Sequence, residues 1–435
     1  MIDKENIGQD MYNLAGRLFP ICRSLSGKGV RQTLDILKEY VEEAGISMQI
    51  HNVPTGTQVF DWTVPKEWVI NEAYIEDENG NHIIDFKENN LHVMGYSTPV
   101  DEWVELDELL EHIETLEEQP DLIPYVTSYY RERYAFCMSE NMKRSLKPGK
   151  YHMYIDSELI DGNLTYGEIL IPGESQKEVF ISTYICHPSM ANNECSGPAL
   201  SVNLARYIMS LEKRHYSYRF IYIPETIGSI TYISSHLDYM RSHIVAGFNI
   251  SCVGDDGDYS VVQSRYGDTL ADKVILNLLK YRENAKVYSY LERGSDERQY
   301  CSPGVDLPFV CFCRTLFDQY PEYHTSADNM DFVSPAGFEG AYDVMTDAIN
   351  ALEHNAYYQV QVLCEPQLGK RGLYPTVSRK DAWDAILVTR DFLSYADGRN
   401  DLIDIANIAH VPVTEMIGIA KKFTEHKLVV GEWRD

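Results

Sequence analysis

Positive charge, long apolar runs and paired cysteines are all scarce in this sequence of 435 residues. Lys and Arg number 38 against 66 Asp and Glu, a net charge of −28. A field of that sign repels phosphate backbones and anionic lipid, so nonspecific binding to nucleic acid or a membrane surface is not expected. No stretch approaches the roughly 18 uninterrupted apolar residues of a membrane-crossing helix. The opening MIDKENIGQDMYNLAG has acids where a secretory leader has a basic and then an apolar segment. A cytoplasmic protein is the expectation. Cysteines stand at 22, 137, 186, 195, 252, 301, 311, 313 and 364, an odd count without a CxxC pair. They support neither a zinc ribbon nor a disulfide framework and read as small buried hydrophobes in a reducing compartment. There is also no GxSxG elbow, no P-loop and no GxGxxG after a strand, which sets aside serine hydrolases, NTPases and dinucleotide enzymes.

What remains is an ordinary globular composition, 44% hydrophobic, 11% aromatic and 24% charged. The length suits two or three domains. Residues 6–45 read as two helices broken at Pro20, the second carrying Val30, Leu34, Leu37 and Val41 on one face and stopped by Gly45. From 46 to about 100, short β-like runs alternate with turn signals such as Glu78-Asn79-Gly80. The acidic segment 101–116 is compatible with a helix, and 122–170 with further strands. Strand and helix then alternate: strands at 178–185, 218–223, 244–251, 259–264, 286–291 and 307–313, and helices at 197–213, 229–241, 268–283 and 335–354. Apolar strands separated by amphipathic helices predict an α/β fold, a mixed, largely parallel sheet covered on both faces. The division expected is 1–50 with 165–365 as one domain, 51–164 as an inserted β-rich domain, and 370–435 as a third. In that last part, helical patterns at 380–395, 401–408 and 413–425 precede HKLVVGEW, the outline of a winged helix.

In an open α/β sheet, ligands bind beyond the carboxyl ends of the strands. The residues there are Cys186-His187-Pro188, with Asn193-Glu194-Cys195-Ser196-Gly197 opening a helix, then Pro224-Glu225, then Ser251 through Asp256, and finally Tyr323-His324-Thr325. Two histidines and several carboxylates on one rim are the donor types zinc takes, with a position left open for water in hydrolytic sites. A carboxylate such as Glu225 behind a buried strand is costly unless it has a task.

These residues resemble the co-catalytic zinc aminopeptidase superfamily. The signatures are His187, the Asn193–Gly197 run, Glu225 with Gly228-Ser229, Gly294-Ser295-Asp296, and Tyr323-His324-Thr325. Over nearly its whole length the chain is similar to a bacterial group of aminopeptidase-like proteins with an inserted β-rich domain and a C-terminal winged helix. The resemblance implies zinc held by His187, Glu194 and His324, with Glu225 as general base. It also implies a rim formed by Asp296, Arg298 and Tyr300, where Arg298 holds a substrate carboxylate and Tyr300 meets the reacting carbonyl. Asn193 stands where the family has a bridging Asp, and Ser251 where it has another Asp ligand, with Asp255 and Asp256 slightly beyond. One zinc is therefore the economical reading, and a second metal stays open. The Asp that orients the first histidine in the family is missing from His187-Pro188-Ser189.

The function implied is a zinc exopeptidase, aminopeptidase-like, acting on a peptide or aminoacyl amide. Glutaminyl-cyclase-like or non-peptide amide chemistry, and a noncatalytic regulator on a peptidase fold, are the alternatives. Winged helices suggest DNA, but residues 370–435 carry as many acids as bases, and Lys421 and Lys422 come only at the end of the candidate recognition helix. The module is expected to pack on the catalytic domain or to mediate self-association.

Overall fold

A computed structural model describes residues 6–373 and 380–434, with 1–5, 374–379 and 435 outside that range. Its centre is an eight-stranded sheet. Across the sheet the strands run Gln49–Pro54, Asn163–Ile171, Ser217–Ile223, Glu178–Tyr184, Ile244–Ile250, Phe309–Cys313, Tyr259–Val262 and Ala285–Tyr288. The four central strands, 217–223, 178–184, 244–250 and 309–313, are mutually parallel, and on each side the next strand, 163–171 or 259–262, joins them antiparallel. All seven residues of 178–184 are buried, as a strand covered on two faces requires.

Successive residues of the central strands serve opposite layers. Val179, Ile181, Phe220 and Tyr222 join a core with the helices Ile7–Leu18, Lys28–Glu42, Ser196–Ser210, Leu270–Leu279 and Pro335–Leu352. Phe180, Tyr184, Ile221 and Ile223 face the helix Ile227–His243 and a second, smaller sheet. That sheet has the order His82–Asp85, Glu67–Asp77, Lys150–Ile160, Val100–Glu105, and lies in the chain between two strands of the large one. The first and last parts of this body meet: Tyr12 donates its hydroxyl proton to the Met330 carbonyl at 3.0 Å.

Two local expectations differ from the structure. The acidic segment 101–116 begins as the strand Val100–Glu105, paired antiparallel with 150–155, and only Leu106–Leu110 is helical. Val100 and Val104 are buried there, so cross-strand burial outweighs the helical bias of the acids. Within 122–170, strand is confined to Phe136–Cys137 and the region from Lys150 on, with a short helix at Glu140–Ser145 capped by Ser139.

The C-terminal part forms the helices Lys380–Tyr395, Leu402–Ala409 and Val413–Glu425 and a three-stranded sheet. One strand of that sheet, Tyr357–Val360, precedes residue 370 and pairs with both Asp397–Asp401 and Val429–Glu432. Leu402, Ile403, Val413, Met416 and Phe423 belong to the same core as the large sheet's helices. Asn277 of the helix Leu270–Leu279 accepts the Val413 backbone N–H at 2.7 Å and donates to Asn407 Oδ1 at 2.8 Å and the Val411 carbonyl at 3.2 Å. Lys273 pairs with Asp404 at 3.0 Å. Among the described residues no single helix is long and apolar enough to cross a membrane. The bent pair 402–409 and 413–425 passes on length and composition, but its apolar residues fill this core.

Candidate functional site

The carboxyl ends of the parallel strands carry the site. After Tyr184 the chain turns through Cys186 and His187, and Ala191–Cys195 form a wide turn that runs into the helix Ser196–Ser210. Gly197 is required at that junction, since a Cβ would lie 2.2 Å from Thr183 Oγ1 and 2.8 Å from the Ile250 carbonyl oxygen. Asp328 holds the turn from the far side, accepting the backbone N–H groups of Asn192 at 2.6 Å and Asn193 at 3.0 Å. Burial raises the Asp328 pKa to about 7 against the pull of those donors.

His187 stands between two carboxylates. Its Nδ1 lies 2.9 Å from Glu194 Oε2, and its Nε2 lies 3.6 Å from Glu225 Oε2. Glu194 is buried, and its other oxygen faces Arg23 Nε at 3.3 Å. The same Arg23 donates to the His187 carbonyl at 2.8 Å and to the Leu18 carbonyl at 2.7 Å. The Cys186 sulfur, a ring nitrogen of His187 and a Glu194 oxygen all lie within 4.8 Å of one another. Burial opposes a charge on His187, but Cys186 and the Glu194 carboxylate outweigh it and hold the pKa well above its ordinary value.

His324 meets His187 with ring centroids 5.6 Å apart. Its backbone has φ 55°, and its carbonyl accepts the Tyr125 N–H at 2.8 Å. Burial, and after it the facing His187, push its pKa down to about 3, which keeps the ring neutral. Its Nε2 and the Asn193 Oδ1 are both buried without a protein partner. Asn193 is oriented through its other end, where Nδ2 donates to the Tyr184 hydroxyl at 2.8 Å. That hydroxyl is 2.5 Å from Ser251 Oγ. Asp255 is committed to Thr315 Oγ1 at 2.6 Å and Asn192 Nδ2 at 2.9 Å, and Asp256 to Ser334 at 2.5 Å.

Glu225 follows the strand Ser217–Ile223, and its N–H points at the Cys186 sulfur at 3.2 Å. The next residue, Thr226, has φ 62° and ψ −78°, a strained conformation for a β-branched side chain. Asp296 and Arg298 hold it there. Asp296 Oδ1 accepts the Thr226 N–H and the Ser229 hydroxyl, both at 2.8 Å, and Arg298 donates to Thr226 Oγ1. Burial, then the nearby Glu225, raise the Asp296 pKa to about 7. Gly294 admits this loop, because a Cβ there would sit 2.3 Å from the Phe317 ring.

Tyr300 corrects an expectation. It is fully buried, with its hydroxyl 2.9 Å from Ser182 Oγ and its ring stacked on Phe309 at 4.1 Å. A side chain closed into the core in this way offers nothing to a substrate carbonyl. The structure adds Arg23 and Tyr125, which the sequence reading passed over. Tyr125 presents its ring to His187 at 5.3 Å and to His324 at 5.0 Å, roofing both from the segment between the strands Val100–Glu105 and Lys150–Ile160. No spacing rule singles out a lone Arg at a helix break or one of 31 tyrosines.

Two imidazoles, an amide oxygen and a carboxylate on one rim are the nitrogen and oxygen donors zinc accepts. The orphaned His324 Nε2 and Asn193 Oδ1 fit a cation that would satisfy them.

Residues 12–355 match the family described as Domain of unknown function (DUF4910), and 355–431 match a winged helix-turn-helix family. A Clostridium acetobutylicum protein is 43% identical over 402 residues, covering 92% of this chain and 91% of its own, and is named "Putative polysaccharide biosynthesis protein with aminopeptidase-like domain". A crystal structure from the same organism, titled as a putative peptidase, superposes with TM-score 0.91 at 40% identity, covering 99% of this chain and 98% of that one. The Bacillus subtilis zinc aminopeptidase reaches TM-score 0.57 at 11% identity over 80% of this chain and 95% of its own, a likeness of fold. The chain thus belongs to the DUF4910 family, whose aminopeptidase-like fold here ends in a winged helix-turn-helix.

Proposed function

We propose that the protein is a zinc-dependent amide hydrolase of the exopeptidase kind. The observation that carries this is one convergence: His187 Nε2 lies 3.6 Å from Glu225 Oε2, beside a His324 whose buried Nε2 has no protein partner. His187 and His324 would hold the metal, with Asn193 Oδ1 as a neutral third donor. A bound zinc supplies Lewis acidity, polarising the carbonyl and lowering the pKa of water. Glu225 takes the proton of the attacking water and returns it to the leaving nitrogen. Glu194 then has a different task from the ligand role its sequence position implies. It fixes the ring and tautomer of His187 through Nδ1, as carboxylates behind metal-bound imidazoles do, and Arg23 balances its buried charge. The hydroxyls of Tyr184 and Ser251, already bonded to each other, favour a site for one metal rather than two.

Metal analysis of the purified protein, followed by a screen of aminoacyl and acyl amides, tests this. The name of the C. acetobutylicum relative brings amides carried on sugars into that screen. Stoichiometric zinc with turnover that stops on chelation is the expected result. A protein that takes up no divalent metal would refute it.

A further inference from the structure

We infer that the substrate places a free carboxylate beside the scissile amide and a ring-bearing acyl group in an aromatic cleft, as an N-acyl amino acid does. This rests on the amide-hydrolase reading and names its substrate class. Glu225 opens onto a cavity of about 280 Å³ lined by Leu25, Trp62, Tyr129, Tyr130, Ile227 and Arg298, with Cys186 and Thr226 completing the wall. Two of these side chains carry charge, Glu225 and Arg298. An incoming ammonium group would meet the guanidinium, with no acid but the proposed base to pair it. A carboxylate would meet Arg298 itself. Arg298 gives one nitrogen to Thr226 Oγ1, while its Nε is buried without a partner, and no ion pair engages it among the described residues. A guanidinium held in place with a donor to spare is a carboxylate receptor.

The other half of the substrate is read from the cleft beyond. Trp62, Tyr129 and Tyr130 also line a neighbouring space of about 510 Å³, with Tyr96, Pro65 and Val64. Trp62 and Tyr130 meet edge to face at 5.5 Å and remain 37% and 60% exposed. Aromatic walls on this scale suit a flat apolar group, and they come from segments at 58–63 and 127–132, outside the large sheet.

The test uses 4-oxo-4-phenylbutanoate, which keeps a benzoyl group and a carboxylate but has no amide to cleave, against its primary amide. Calorimetric titration of the zinc-loaded full chain should show the acid binding about tenfold tighter than the amide, one charge-assisted contact. Arg298→Met should abolish that preference, and Trp62→Ala should weaken both ligands alike. Equal binding of acid and amide, no binding of either at millimolar concentration, or a preference that survives Arg298→Met would each overturn the inference. Acid preference without turnover of N-benzoylglycine would sink the hydrolase reading and leave the receptor standing. Turnover of free-amine aminoacyl amides without acid preference would do the reverse.

Discussion

Glu194 Oε2 lies 2.9 Å from His187 Nδ1, and this contact turns the opposite ring nitrogen toward Glu225. The carboxylate bonded to His187 is therefore seven positions downstream of it, on the following turn, rather than within the same short motif.

Replacing Glu194 with Gln separates orientation from ligation. An orienting carboxylate should cost about 10–100-fold in zinc affinity and no more, whereas a ligand would cost binding altogether. The same change leaves Arg23 buried beside a neutral amide, so stability should fall by about 3–5 kcal/mol, the range for a broken buried pair. Zinc titration and thermal unfolding read the two effects independently.

His324→Ala should fold and lose tight metal binding. Inductively coupled plasma analysis of the purified variant checks this, and a full complement of zinc would remove His324 from the site.

Glu225→Gln is nearly isosteric. As general base, Glu225 should keep the metal in place while turnover drops by roughly two orders of magnitude. Zinc lost in parallel with activity would move Glu225 among the ligands, and undiminished activity would defeat both roles.

Asn277 secures the start of the helix Val413–Glu425, the end a recognition helix would insert into DNA. Asn277→Ala removes three hydrogen bonds and leaves a buried N–H without its acceptor, which should cost about 1–3 kcal/mol in denaturant unfolding. The intact chain should bind no duplex DNA tighter than micromolar at physiological salt. A sequence-specific shift in a gel assay below that concentration would show that the helix can come free.

On the smaller sheet, His152 lies 2.7 Å from Asp101 and 2.9 Å from Glu76. Desolvation disfavours its charge, but those two hydrogen bonds prevail and raise its pKa. A raised value in the folded state gives stability that is complete below the unfolded pKa of about 6.5 and fades as pH climbs through the folded one. Wild type should thus exceed His152→Gln in melting temperature at pH about 5 by more than at pH about 8. A difference that grows with pH would reverse the assignment.

The parallel strands and amphipathic helices were legible because continuous apolar runs and a period of 3.6 follow from burial alone. The proximity of His187, Glu225 and His324 was legible because each follows a strand or closes a recognisable motif. Where the side chains of Glu194 and Tyr300 point could not be read in the same way. Both depend on where a side chain turns after the backbone is placed, Glu194 toward Arg23 and Tyr300 down onto Phe309. Asp328 likewise turns to hold two backbone N–H groups, and no linear spacing of residues marks such a task.

The contact between Tyr12 and Met330 spans 318 positions of chain. The helix Ile7–Leu18 packs on Ser196–Ser210 and on Pro335–Leu352, so its partner surface is complete only once the residues up to 352 have been made. Until then part of its apolar face stays in water, where chaperones and aggregation compete for it. Slow acquisition of the native state follows, together with intolerance of any deletion that removes residues 7–18.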